Sequence, residues 1–115
     1  MITRAEIDRM FAGMAEDTDW DLSGPLLWGY FFTDADADRL RGVAPVLEAQ
    51  GYRVVDVFLG EKEDADEPDE WWLHVEKLEA HTPASLDMRN QMLYAFANAH
   101  GLASYDGMDV GAAPH

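Results

Sequence analysis

Ile7, Met10, Phe11 and Met14 recur at helical spacing, so the pattern predicts a short amphipathic helix over residues 3–15. DTDWDLSGP (17–25) breaks it, and LLWGYFFT (26–33) then reads as an aromatic-rich strand, buried or half-buried. Thr33 and Asp34 are suitable N-caps for a second helix, whose apolar stripe is Leu40, Val43, Ala44 and Leu47. Pro45 inside that stripe implies a kink, and Gly51 follows as the helix stop. YRVVDVFLG (52–60) alternates, with Val55, Val57 and Leu59 on one face and Tyr52, Val54, Asp56 and Phe58 on the other. EWWLHVEKLEAH (70–81) alternates as well, setting Leu73 and Val75 opposite Trp72, His74 and Glu76. Thr82-Pro83 starts a third helix that faces the core with Leu86, Leu93, Phe96 and Ala97 and ends at Gly101. LASYDGMDV (102–110) is the last strand.

After the first helix the order is strand, helix, strand, strand, helix, strand. That order predicts an α+β, ferredoxin-like βαββαβ sandwich: one four-stranded antiparallel sheet carrying two helices on one face. At 115 residues the chain has room for one domain, with the ferredoxin-like core over about 25–111. The final strand pairs beside the first in this scheme, which makes Tyr105, Asp106 and Gly107 structural before anything else. Gly107 and Gly111 then mark a bulge, a turn or a close backbone approach.

Composition narrows the function classes. With no cysteine, a disulfide framework, cysteine zinc sites and thiol catalysis are all excluded. No run approaches the roughly 20 apolar residues of a membrane span, and the first residues lack a signal-peptide pattern. A cytoplasmic protein is the expectation. Eight Lys and Arg against 23 Asp and Glu give a formal net charge of −15. Such a surface repels phosphate backbones and anionic membranes, so neither direct nucleic-acid binding nor membrane binding is expected. The arginines are scattered and form no compensating patch. A basic partner is the attractive one; solubility or a salt-adapted proteome is the plainer account of the same charge.

Few motifs carry chemistry. DTDWDLSG (17–24) and DADADRL (34–40) begin like calcium loops, but Leu22 replaces the required glycine, while Trp28 and Pro45 occupy the closing ligand positions. Both read as caps and solvated turns. In HVEKLEAH (74–81), His74 and His81 fall on opposite faces of an extended chain, so they cannot share one metal there. A small enzyme using His74, Glu76, Arg89 or Asn90 would need these groups to converge, yet the helix pair and His74 lie on opposite sides of the sheet. There is no nucleophile elbow, phosphate-cradling loop or metalloprotease helix. No catalytic residue, metal or cofactor is expected. Two surfaces remain as candidates for protein binding. One is the loop EKEDADEPDE, where Glu61, Glu63, Asp64, Asp66, Glu67, Asp69 and Glu70 stand against a single lysine. It is expected to be mobile and is either a solvated connection or a negative cluster for a basic ligand. The other is the open sheet face, carrying Tyr52, Asp56, Phe58, Trp72, His74 and Glu76. The N-terminal helix, with its Met and Phe stripe, is the competing cover for that face.

The acidic composition, the element order, FFTDADADRL with the following QGYRVVD turn, and WWLHVEKLEAHTPASLDMRNQMLYAFANAHGLASYDGMDVG together resemble the RraB-type regulators of ribonuclease E activity. The resemblance covers roughly residues 26–111, and Tyr105-Asp106-Gly107 is its most recognisable piece. It implies a non-enzymatic protein that binds ribonuclease E, at the enzyme's arginine-rich noncatalytic region rather than its active site, and so reduces its action on transcripts. Enteric members carry an acidic C-terminal extension after this motif, whereas the acid cluster here is internal, at 61–70. A general interaction module unrelated to RNA decay, using the aromatic open face, is the alternative.

Overall fold

The computed structural model describes residues 1–114. Its elements run α1 (Arg4–Asp17), β1 (Leu26–Asp34), α2 (Ala37–Ala49), β2 (Arg53–Leu59), β3 (Trp71–Glu79), α3 (Pro83–Ala99) and β4 (Ser104–Gly111). The four strands form one antiparallel sheet in the order β2-β3-β1-β4, so the last strand does pair beside the first. This is the ferredoxin-like arrangement with a leading helix.

The central strand supplies the core. Leu26, Trp28, Tyr30 and Phe32 occupy alternate positions of β1, point to the helix side and are buried. Each large side chain removed from water in this way contributes about 1.5–3 kcal/mol. Leu73 and Val75 of β3 lie beside them, and Leu40, Leu47, Leu86 and Leu93 close over them from α2 and α3. The same two helices end alike. Gly51 and Gly101 take positive φ (94° and 68°), and in each case the next amide reaches back to the helix: Tyr52 N donates to Leu47 O and Leu102 N to Ala97 O. With Gly51 and Gly101 N donating to Glu48 and Asn98 O, both ends are Schellman motifs, a backbone shape that favours glycine. Both residues that follow the glycine, Tyr52 and Leu102, are buried.

Several local expectations change. The cap of α2 is Asp36, not Thr33 or Asp34. β1 runs on through those two, Thr33 sharing a 2.5 Å hydroxyl contact with Ser104. Asp34 is buried and accepts from the amides of Asp36 and Ala103, both at 2.9 Å, and from Arg39 at 3.1 Å. It thus ties the end of β1 to both neighbouring segments. α2 continues unbroken past Pro45. At the start of α3 the reading holds: Thr82 caps it, Pro83 follows, and Ser85 completes a reciprocal cap.

α1 does not cover the open sheet face. Its Thr3–Glu6 capping box starts the helix, its Ile7 and Met14 are buried, and Phe11 stacks 6.0 Å from Trp28, which belongs to the helix side. The backbone amide of Ile2 donates to Tyr94 of α3 at 2.8 Å. All three helices therefore share one face of the sheet, and no helix among the described residues covers the other.

A candidate protein-binding face

Strand pairing arranges the open face in rows. Arg53, Glu76, Gly29 and Asp109 lie side by side across the four strands. The next row holds Asp56, His74 and Phe31, and the one beyond it Phe58, Trp72, Thr33 and Ser104. His74 lies flat on Phe31, with ring centres 4.4 Å apart. Trp72 stacks on Phe58 at 6.4 Å and meets Phe31 edge-on at 6.3 Å. Four rings are thereby joined into one half-exposed aromatic surface, bordered by carboxylates. Arg53 donates to Glu76 through Nε at 2.6 Å, so one guanidinium is already held on this face.

Five of the six residues assigned to this face from the alternation are on it: Asp56, Phe58, Trp72, His74 and Glu76. Tyr52 is not. It is 7% exposed and packs edge-on against Tyr30 at 5.8 Å, with Arg89 5.6 Å from its ring. The cause is a bulge: Val54 opposes Val75 and Asp56 opposes His74, leaving Val55 as an extra residue. Alternation resets there, so Val54, with Tyr52 before it, turns to the helices, while Val55 leaves the core side and is exposed. A second bulge lies in the other edge strand. Phe32 opposes Tyr105 and Phe31 opposes Gly107, so Asp106 is the extra residue. Tyr105 is buried and donates to Asn90 Oδ1 at 2.6 Å, and Gly107 has φ 145°. The Tyr-Asp-Gly segment is thus an anchored bulge.

The acidic loop lies at the Asp34 end of the sheet. Gly60 N donates to Glu70 O at 2.8 Å and closes its base, and Asp64 forms a turn by accepting from Asp66 N at 3.0 Å. Lys62 pairs with Asp69. Glu61, Glu63, Asp64, Asp66, Glu67, Asp69 and Glu70 are all exposed, and several of them line a groove of about 420 Å³ with Asp34 and Ala103. Among the described residues no three His, Asp or Glu side chains are placed to hold a metal ion.

A polar cluster on the helix side escaped the sequence reading. Arg89 forks onto Glu79 with hydrogen bonds of 2.7 and 2.8 Å, and Tyr30 donates to the same carboxylate at 2.8 Å. His81 Nε2 lies 3.1 Å from the Tyr30 hydroxyl, and its Nδ1 lies 2.8 Å from Ser85 Oγ. Burial alone would raise the Glu79 pKa, but hydrogen bonds from His81, Arg89 and Tyr30 outweigh it and hold the carboxyl at about 2. Burial, reinforced by the Glu79 charge, raises the Tyr30 phenol above its ordinary value. A signal for this cluster was present. Glu79 and His81 share the strand parity of Leu73 and Val75, and an acid at core parity calls for a cation on the covering helix. His74 and Glu76 face the other way, so neither meets Arg89 or Asn90.

No helix among the described residues is long and apolar enough to cross a membrane. No curated protein matches the sequence. The family model described as RraB, regulator of ribonuclease activity B, matches residues 4–110. That span takes in α1, the sheet, both covering helices and the Tyr-Asp-Gly bulge, and the chain belongs to the RraB family of ribonuclease regulators.

Proposed function

We propose that this chain is an acidic binding protein that restrains ribonuclease E by engaging the enzyme's basic noncatalytic region, in the cytoplasm and without chemistry of its own. The observation that carries the reading is the placement of all three helices on one side of the sheet. It leaves a joined aromatic surface edged by Asp56, Glu76 and Asp109 open to a partner. Aromatic rings and carboxylates together suit arginine, whose planar cation stacks and pairs at once. The seven exposed acids of the 61–70 loop, in a chain of net charge −15, add a longer-range attraction for basic segments and oppose contact with RNA phosphates.

Full-length ribonuclease E from the same organism, captured on the immobilised protein at low and high salt, tests this. Capture that weakens with salt supports it; no capture in either condition removes ribonuclease E as the partner. The exposed ring surface also supports a second reading, an interaction module unrelated to RNA decay. Its mark is a different protein partner whose binding survives high salt, because apolar burial is not screened.

A further inference from the structure

We propose that the slot above Gly29 is a subsite for one arginine guanidinium of the docked segment, selecting arginine over lysine. The inference deepens the reading above and rests on it for the identity of the partner. Gly29 sits in the central strand between Glu76 on β3 and Asp109 on β4. A Cβ there would collide with the Asp109 carboxylate and lie 2.8 Å from His74 Nε2. The missing side chain therefore lets an acid and an imidazole lean over the same point from opposite sides. The resulting groove, about 240 Å³, is lined by Leu27, Gly29, His74, Glu76 and Asp109, with Val110 and Gly111 at its edge.

Three features favour a guanidinium in it. Among the described residues the exposed Asp109 carboxylate accepts no hydrogen bond, whereas Glu76 beside it is committed to Arg53. That neighbouring pair shows that this face accommodates a guanidinium lying along a strand row. His74 is stacked on Phe31 with ring centres 4.4 Å apart and its Nε2 edge towards Gly29, so the groove is bordered by a ring of fixed orientation that continues into an aromatic surface on which a planar cation can stack. Lysine, a strongly hydrated point charge, would use only the carboxylate. A stacking platform on a sheet also suits single-stranded RNA bases, but Asp56, Glu76 and Asp109 place negative charge where phosphates would run.

The test uses the intact chain and two short peptides of equal length and charge, one of arginine and glycine, the other of lysine and glycine. Titration at low salt should show the arginine peptide binding roughly three- to tenfold tighter. Asp109→Asn keeps size and removes charge at an exposed position, and Gly29→Ala displaces the Asp109 carboxylate and the His74 ring edge; both should reduce the ratio towards one. Equal affinity in the unaltered protein overturns the subsite, as does a ratio that survives both changes in folded variants. Binding of a short single-stranded RNA in preference to either peptide overturns it too. The two levels separate cleanly. Ribonuclease E capture without arginine preference removes only the slot. Arginine preference without capture leaves the slot and removes the assigned enzyme.

Discussion

The two faces of the sheet are built from the same residue types and use them in opposite ways. On the helix side, Tyr30, Glu79, His81 and Arg89 satisfy one another within hydrogen-bond distance, and the group is mostly buried. On the open side, Phe31, Trp72 and His74 stack, Glu76 holds Arg53 and Asp109 stands apart, each with part of its surface in water. Glu76 and Glu79 lie on one strand, three residues apart, and an odd separation sends them to opposite faces. A carboxylate locked by three donors cannot recruit a partner, whereas Asp109, exposed and without a hydrogen-bond donor among the described residues, contributes little to the fold. If the open face is the contact surface, stability and recognition are divided between the faces, and substitutions should separate them.

The largest effect should come from Arg89→Ala. It leaves Glu79 as a mostly buried charge without its bidentate partner, and breaking such a pair costs about 3–5 kcal/mol. Urea denaturation measures it, and a loss below about 1 kcal/mol would mean that the cluster is not what holds this corner together. Acid should act on the same group. The folded Glu79 pKa is about 2 against an ordinary 4.5, so its contribution is complete above pH 4.5 and is lost as pH falls towards 2. That difference sets an upper limit of about 3 kcal/mol, lowered by solvent screening because the carboxyl is not fully buried. Glu79→Gln should flatten this part of the stability–pH curve; an unchanged slope would place the acid sensitivity elsewhere.

Next in size is Gly107→Val, which forces a branched side chain to φ 145° in the edge-strand bulge and should cost about 1–3 kcal/mol. A variant as stable as the parent would show that the bulge relaxes freely. The position also illustrates what was legible. Element order, the partner of the final strand, the Thr82-Pro83 helix start and the two glycine helix stops follow from local patterns, because periodicity and cap chemistry act within a few residues. The bulges do not. An extra residue at Val55 or Asp106 is decided by how neighbouring strands align, and a single shift was enough to move Tyr52 to the other side of the sheet. The side covered by α1 was equally hidden, since Met10, Phe11 and Met14 are compatible with either face. It is set by the stack of Phe11 on Trp28 and the anchoring of Ile2 to Tyr94. At the candidate site the residue types were visible along β3, but the slot depends on Gly29 and Asp109, which only strand pairing brings beside His74.

The smallest effects on the fold should be the most informative about binding. Trp72→Ala removes a half-exposed ring stacked on Phe58 and should cost about 1 kcal/mol of stability. If the open face is the contact surface, affinity for the partner should fall at both low and high salt, because lost apolar burial is not screened. Reversing Glu63, Asp64, Asp66 and Glu67 to lysine touches only exposed positions and should leave the melting temperature unchanged. Its effect on affinity should appear at low salt and fade near 1 M, where charges interact over only about 3 Å. Equal affinity at low salt would remove the loop from recognition and leave the sheet face alone. A loss that persists at high salt would instead mean that the loop makes direct contact, in which case attraction at a distance is too small a role for it.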